Sequence, residues 1–346
     1  MTGLPSPYTE VPLARFHLLR PLRAAAAPRA FLPLAFMLLL PSSVLADPVA
    51  VIASVKGKVE VTSSRGGTPQ RAAFGRALER GDRIAVSPGG AATLFFNDGN
   101  VIEVAEKSTL TVGGRIASKS GGGSGAPGIP GEVYASVTRF VAGGSRETGL
   151  VALSELRSAP AEQDAPFLIG PRRTALLTDR PSFSWRAVTG ATRYRVTVSS
   201  ADQGELWSRE VQGLALPFPA EAAPLVAGGE YLWDVEAFSD VKSLRRESSV
   251  FQVLAATQAE AVRVNLGRIR DSAGGDENAA AQFLAGSYLS GLGLFLDATE
   301  HFGALCRLTP TSPAPHEALG TVYTKVGLMD LAAAEFQQAL ALTREP

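Results

Sequence analysis

The sequence predicts a multidomain chain, mainly β followed by α: a small β-domain, a β-sandwich, and then helical hairpin repeats. Three observations carry this. Short alternating apolar runs separated by Gly- and Pro-containing turns fill the stretch from Val49 to about Ile116. The same device returns from about Ala165 to Leu254, now with aromatic residues at alternate positions. Beyond Leu254 the apolar spacing becomes helical, and glycines and phenylalanines recur at a fixed interval.

A chain of 346 residues with 45% apolar content has room for two or three domains with a core each. Lys plus Arg and Asp plus Glu are 33 each, so no basic excess draws the chain to nucleic acid, and no such partner is expected. Three histidines and one cysteine limit the chemistry on offer. A lone cysteine closes no internal disulfide, and a tetrahedral zinc site needs clustered ligands that the sequence does not offer.

Residues 1–46 read as an export signal. Arg15, Arg20, Arg23 and Arg29 precede the apolar run Phe31 to Leu40, and Val44 and Ala46 are small residues suited to cleavage before Asp47. The run is about ten residues, well short of the roughly 20 that span a bilayer. The expected location is periplasmic or secreted; the alternative is an uncleaved segment anchored in the inner membrane.

The first β-domain is assigned to 47–116. Val51, Ala53 and Val55 are placed on one strand face, and a turn at Lys56-Gly57-Lys58 followed by Val59 and Val61 predicts a hairpin. Gly81-Asp82 and Pro88-Gly89-Gly90 are turns, and Asn97-Asp98-Gly99-Asn100 joins two short strands. The segments "GKVEV", "ALERGDRIAVSPGGAATLFFNDGNVIEV" and "KSTLTV" resemble the FecR domain, an extracytoplasmic β-rich module, over roughly Val49 to Val112. The resemblance implies a β-fold and an envelope location, and it carries over no ligand set. The regulator that gives the domain its name has a cytoplasmic anti-sigma segment and a full membrane helix. Only 46 residues precede the expected mature start here, which argues against direct sigma-factor control.

Recognition in such a domain is expected in its loops, and Asn97, Asp98 and Asn100 form the candidate recognition loop. A calcium reading of these residues fails because the EF-hand spacing is absent, and Asn-Asp-Gly-Asn is the composition a tight hairpin loop selects. Strand edges offer a second mode, pairing with a partner strand.

Residues 117–164 form a Gly-rich loop and connecting segment. A formal G-x-G-x-x-G stands at Gly123, Gly125 and Gly128, but a dinucleotide site needs a preceding strand and an immediately following helix, and Pro127, Pro130 and the missing helical periodicity argue against it. Val133 to Gly143 is a strand or a short helix returning to the first domain.

Residues 165–254 resemble a fibronectin type III or related immunoglobulin-like domain, with Trp185, Tyr194, Tyr231 and Trp233 as matching anchors. Alternation with charged residues makes these aromatics core positions rather than a platform for sugars. Either Val250 or Phe251 points inward on the closing strand, and Trp207 is the aromatic expected at the surface.

Residues 255–346 are helical. Ala259 to Arg270 reads as one helix with Val262, Leu266 and Ile269 on a face. Gly286, Gly293, Ala298 and Phe302 recur as Gly320, Gly327, Ala332 and Phe336, each pair 34 residues apart, which is the tetratricopeptide period. The second copy resembles that family at Leu319, Gly320, Tyr323, Ala332, Phe336 and Ala339; the first keeps Pro310 and has Leu289 where Tyr is usual. Two repeats bury little continuous core, so self-association or partner docking is expected.

No catalytic set emerges. His301 and Cys306 lie about 140° apart around a helix, and His316 reads as a surface or first-turn residue. Ser154-Glu155 has no histidine in its own segment. The expectation is a non-catalytic envelope protein without cofactor or metal, a binding or scaffold module that docks a protein through its helical repeats. Cell-wall or surface polysaccharide is the second partner class. Signal relay from an envelope receptor is the alternative function, and wall-polymer hydrolysis the third.

Overall fold

The computed structural model describes residues 48–113, 128–143 and 167–344. Residues 1–46, expected to be an export signal, and Gly123, Gly125 and Ser154-Glu155 lie outside the described residues. Among the described residues no helix is long and apolar enough to cross a membrane.

Strand β1 (Ala50–Lys56) organises the first domain because it is apolar on both faces: Ala50, Val51, Ile52 and Ala53 are all fully buried. It lies inside a four-stranded sheet with β4 (Ala77–Leu78), β6 (Ala91–Phe96) and β7 (Val101–Val104), in the order β4-β1-β6-β7. A second sheet has the order β3-β2-β5-β8, from β2 (Val59–Thr62), β3 (Gln70–Arg71), β5 (Arg83–Val86) and β8 (Thr109–Thr111). Ala50 and Ile52 face the core between these sheets, whereas Val51 and Ala53 face a core built largely by helices.

Two sequence expectations are corrected here. The turn at Gly57 exists, with φ of +67°, but β1 and β2 do not pair as a hairpin; the chain crosses there from one sheet to the other. Pairing them in one sheet would deprive the Ala50 and Ile52 face of the second layer that covers it. Nor does Val55 share a face with Val51 and Ala53. The register against β6 shifts between Ile52 and Ser54, and this bulge inverts the alternation, so that Val55 joins the inter-sheet core with Ile52.

Residues Gly131–Gly143 form helix α1, burying Val133, Tyr134, Val137 and Phe140 at helical spacing. Its Tyr134 hydroxyl donates to the Pro48 carbonyl at 2.7 Å, and the ring meets Phe95 edge-on at 5.4 Å, which fastens the helix to the β1 sheet.

The sandwich packs a five-stranded sheet on a three-stranded one. The larger has the order β10-β16-β15-β12-β13, comprising β10 (Thr174–Leu176), β12 (Arg193–Ser200), β13 (Gly204–Val211), β15 (Glu230–Phe238) and β16 (Ser243–Val253). The smaller is β14-β11-β9, from β9 (Leu168–Gly170), β11 (Phe183–Trp185) and β14 (Ala215–Leu216). Trp185, Tyr194, Tyr231 and Trp233 are all buried in its core. Their polar edges are largely used inside: the Tyr194 hydroxyl accepts from Val188 N, that of Tyr231 from Val226 N, and Trp233 Nε1 donates to the Pro171 carbonyl at 2.6 Å. Phe251 is the inward residue of β16 and Val250 is exposed. Trp207 departs from expectation. It is half-buried, with Phe183 and Phe218 packed edge-on against its ring at 5.5 and 5.6 Å, because β13 lays it over the open side of the core.

The remaining helices are α2 (Ala256–Ser272), α3 (Ala279–Gly291), α4 (Phe295–Leu308), α5 (Pro313–Val326) and α6 (Met329–Arg344). In α2, Val262 and Ile269 are buried and Leu266 packs beside them. Helix α3 begins at Asn278, whose side chain accepts from Ala280 N, and eleven of its 13 residues are buried. A helix apolar all round must be covered all round. Residues of α1, α2, α4 and β1 share its core, so the first β-domain and the helical region are joined through one hydrophobic cluster.

Candidate functional site

Helices α3 and α4 form one hairpin, α5 and α6 a second. Each hairpin turns at a glycine of positive φ, +82° at Gly293 and +78° at Gly327. Inside each hairpin a glycine of the first helix faces a phenylalanine of the second. A Cβ on Gly286 would lie 2.8 Å from the Phe302 ring, and one on Gly320 would lie 2.8 Å from the Phe336 ring. The period of 34 in the sequence is therefore the period of one packing contact. Ala298 and Ala332 are fully buried beside these rings, Leu319 is buried, and Tyr323 is half-buried.

The sandwich holds both hairpins at the same place. Helix α4 has no capping side chain of its own at Leu294. Thr174 of β10 supplies the acceptor, its Oγ1 receiving Phe295 N at 2.9 Å, while Ala175 N donates to the Gly293 carbonyl at 2.9 Å. Two residues earlier, Arg172 donates from Nε to the Val326 carbonyl at the second turn (2.9 Å) and is itself paired with Glu247 at 2.6 Å. Arg186 of the sandwich also pairs with Asp330, near the start of α6, at 2.5 Å. The segment from Arg172 to Ala175 thus reads equivalent turns one period apart. Nothing in its local pattern announces this, since the turns it holds lie more than a hundred residues away.

The titratable residues of the helices come together in part. Cys306 Sγ lies 4.0 Å from His316 Nδ1, and that same nitrogen lies 2.7 Å from Glu335 Oε2. A nucleophilic triad needs one ring nitrogen for the nucleophile and the other for the acid, and here a single nitrogen faces both. Burial, reinforced by Glu335, pushes the Cys306 thiol up to about 11, far from the depressed values of reactive cysteines. In the folded protein Cys306 is expected to resist iodoacetamide at pH 8 and to react once urea unfolds the chain. Rapid alkylation of the native protein would contradict the geometry. His301 is elsewhere, bonded to Gln282.

Asp297, in the first turn of α4, has a buried Oδ2 without a hydrogen-bond partner. Burial, with Glu300 nearby, pushes its carboxyl up to about 6 from 3.8. The folded state then binds this proton more tightly than the unfolded chain. The ionised carboxylate penalises the fold fully above pH 6, and the penalty is relieved as pH falls towards 4. Its size is about 2–3 kcal/mol. Asp297→Asn is therefore expected to raise the melting temperature at pH 7 and to have lost most of that gain at pH 4; no gain at pH 7 would refute the assignment.

The Asn97–Asn100 loop is a tight connection between β6 and β7. Gly99 N donates to the Phe96 carbonyl, Phe96 N to the Asn100 carbonyl, and Asp98 Oδ1 accepts from Asn100 N at 3.1 Å. Asn97 and Asp98 are exposed, Asn100 is half-buried, and Gly99 is buried under Ile129, whose N donates to the Gly99 carbonyl at 3.2 Å. A second carboxylate, Asp82, is buried at the Gly81 turn and accepts from Ser64 N and Glu79 N at 2.9 and 3.0 Å, a structural role that the turn composition alone did not reveal. Among the described residues no group of three or more His, Cys, Asp and Glu is arranged to hold a metal.

No protein-family model and no curated protein matches the chain. Among solved structures it is similar to the fn3 domain of human collagen alpha-1(XX) chain, at 15% identity over 29% of this chain and 94% of that one, with a TM-score of 0.22. It is similar also to a Fn3-like protein from Clostridium thermocellum (18% identity, 26% and 95% covered, TM-score 0.19) and to a cell surface anchoring domain (20% identity, 20% and 88% covered, TM-score 0.19). At such TM-scores these likenesses carry no argument. The β-sandwich rests on its own strand order and core, and the chain is mainly β followed by helical hairpins.

Proposed function

We propose that this chain is a non-catalytic binding or scaffold protein exported to the bacterial cell envelope, with its helical hairpins docking a protein partner. The observation that carries the reading is the sandwich's hold on both hairpin turns, through Thr174, Ala175 and Arg172. An array fixed at one edge keeps its remaining faces in a set geometry, which lowers the ordering cost of binding. The tetratricopeptide-like period supports the docking role of the hairpins, and the FecR-like segments together with the leader 1–46 support the envelope location.

The docking face is the outer side of the second hairpin. Cys306, on α4, packs against its neighbours and approaches α5; one period later the same position is Leu340, 45% exposed on α6. In-cell crosslinking of the tagged full chain against its Leu340→Asp variant tests this. Loss of one specific partner in the variant, with a mature N-terminus near Asp47 in the periplasmic fraction, is the expected result. An unchanged partner set, or recovery of wall polymer alone, would move binding to the β-domains.

A further inference from the structure

Beside the first half of α3, the helices α2, α3 and α4 enclose a cleft of about 330 Å³. Leu266 and Ala285 give it an apolar floor, and Gly267 of α2 lines its wall. A glycine inside a helix weakens that helix relative to alanine, and the usual reason for one is a neighbour that leaves no room for a side chain. Gly267 has no such neighbour, because a Cβ there would meet nothing within 4 Å. What the missing side chain leaves clear is the cleft.

The charges at the rim are already matched. Arg263 donates to the Leu177 carbonyl at 2.7 Å and pairs with Glu260 at 3.8 Å, and Arg270 pairs with Asp271 at 3.1 Å. With Asp276 also at the rim, no positive charge is left over for an anion, and the two guanidinium groups oppose a cation. A ligand that fits is neutral.

The remaining polar group is His301 of α4. Its Nδ1 lies 2.7 Å from Oε1 of Gln282, a buried amide whose Nε2 donates to the Asp276 carbonyl. An amide oxygen only accepts, so Nδ1 carries the proton and Nε2 keeps its lone pair. Among the described residues Nε2 has no hydrogen-bond partner, and it is not sealed from solvent. We propose that the cleft binds a small neutral alcohol with an apolar body, its hydroxyl donating to His301 Nε2 and its hydrocarbon lying on Leu266 and Ala285 in the space beside Gly267.

The charged groups around the imidazole are Arg263 and Arg270 from α2 and Asp276 from the α2–α3 loop; α3 contributes the uncharged Gln282, and Asp297 and Glu300 precede the histidine on its own helix. Burial holds the His301 pKa below its usual 6.5, against the attraction of Asp276, so the acceptor is intact at pH 7. Protonating Nε2 removes that acceptor. An alcohol therefore binds the neutral ring, and by linkage it lowers the pKa of His301 further.

The test titrates the full chain with probes of one shape and different head groups, namely cyclohexanol, its methyl ether, cyclohexylamine and cyclohexanecarboxylate, following the His301 ring resonances by NMR. Saturable shifts with cyclohexanol alone are the expected result, with a lower His301 pKa at saturation and several-fold weaker binding at pH 5 than at pH 7.5. Gly267→Leu fills the cleft and should abolish binding, while its melting temperature stays at or above that of the parent because the new Cβ meets no atom. The proposal is overturned if cyclohexanol leaves His301 unmoved, if the ether or either charged probe binds as tightly, if the His301 pKa is unchanged or rises, or if Gly267→Leu binds as well as the parent.

Discussion

Phe302→Ala is expected to cost about 3–5 kcal/mol and Phe336→Ala about 2–3 kcal/mol, although the two residues hold equivalent positions. Phe302 is fully buried, its ring lies against Gly286, and Phe140 of α1 stacks on it at 5.3 Å. Removing it opens a cavity walled by three helices that are themselves packed and cannot close around it. Phe336 is 9% exposed and clusters with Ala332 and Tyr323 at the outer hairpin, where neighbours can collapse towards the gap. Urea denaturation of the two variants decides the matter. Equal losses would mean that the shared period, and not the extra layer supplied by α1, governs the packing.

Gly99→Ala is expected to destabilise by more than about 2 kcal/mol, whereas Asn97→Ala stays within about 0.5 kcal/mol. Gly99 has φ of +85°, and a Cβ there would collide with the backbone carbonyl oxygen of Ile129, which cannot swing aside as a side chain can. The collision would push away the segment that leads into α1, whose Val133 and Val137 are fully buried. Asn97 is exposed, so its side chain has little to lose. Thermal melts compare them directly, and a tolerated alanine at Gly99 would show that α1 does not depend on this contact.

What the sequence made legible follows from which interactions are local. Alternation placed Trp185, Tyr194, Tyr231 and Trp233 in the sandwich core, because a strand sends every second residue to the same face. The interval of 34 found Phe302 and Phe336, because each glycine-to-ring contact lies within one hairpin. Alternation does not say which sheet a strand joins, so β1 and β2 read as a hairpin while belonging to different layers. The bulge near Ala53 has no glycine or other local mark, and it is the partner strand that shows Val55 on the other side. Val133 to Gly143 fits either period, and its packing between β1 and α3 settles it as a helix. The caps from Thr174 and Arg172, and the meeting of Cys306, His316 and Glu335, depend on tertiary contacts that no local pattern encodes.

Through Thr174, Ala175 and Arg172 the sandwich and the helical hairpins are expected to unfold as one cooperative platform. All three tryptophans, Trp185, Trp207 and Trp233, lie in the sandwich, while five of the helices lie beyond it, so the two parts carry separate signals. Urea unfolding followed by tryptophan fluorescence and by the helical circular dichroism band reads both at once. Coincident midpoints are expected in the parent protein, with a separation appearing when Thr174 and Arg172 are both replaced by alanine. Separate midpoints in the parent would contradict it, leaving the hairpins a domain that the sandwich merely touches.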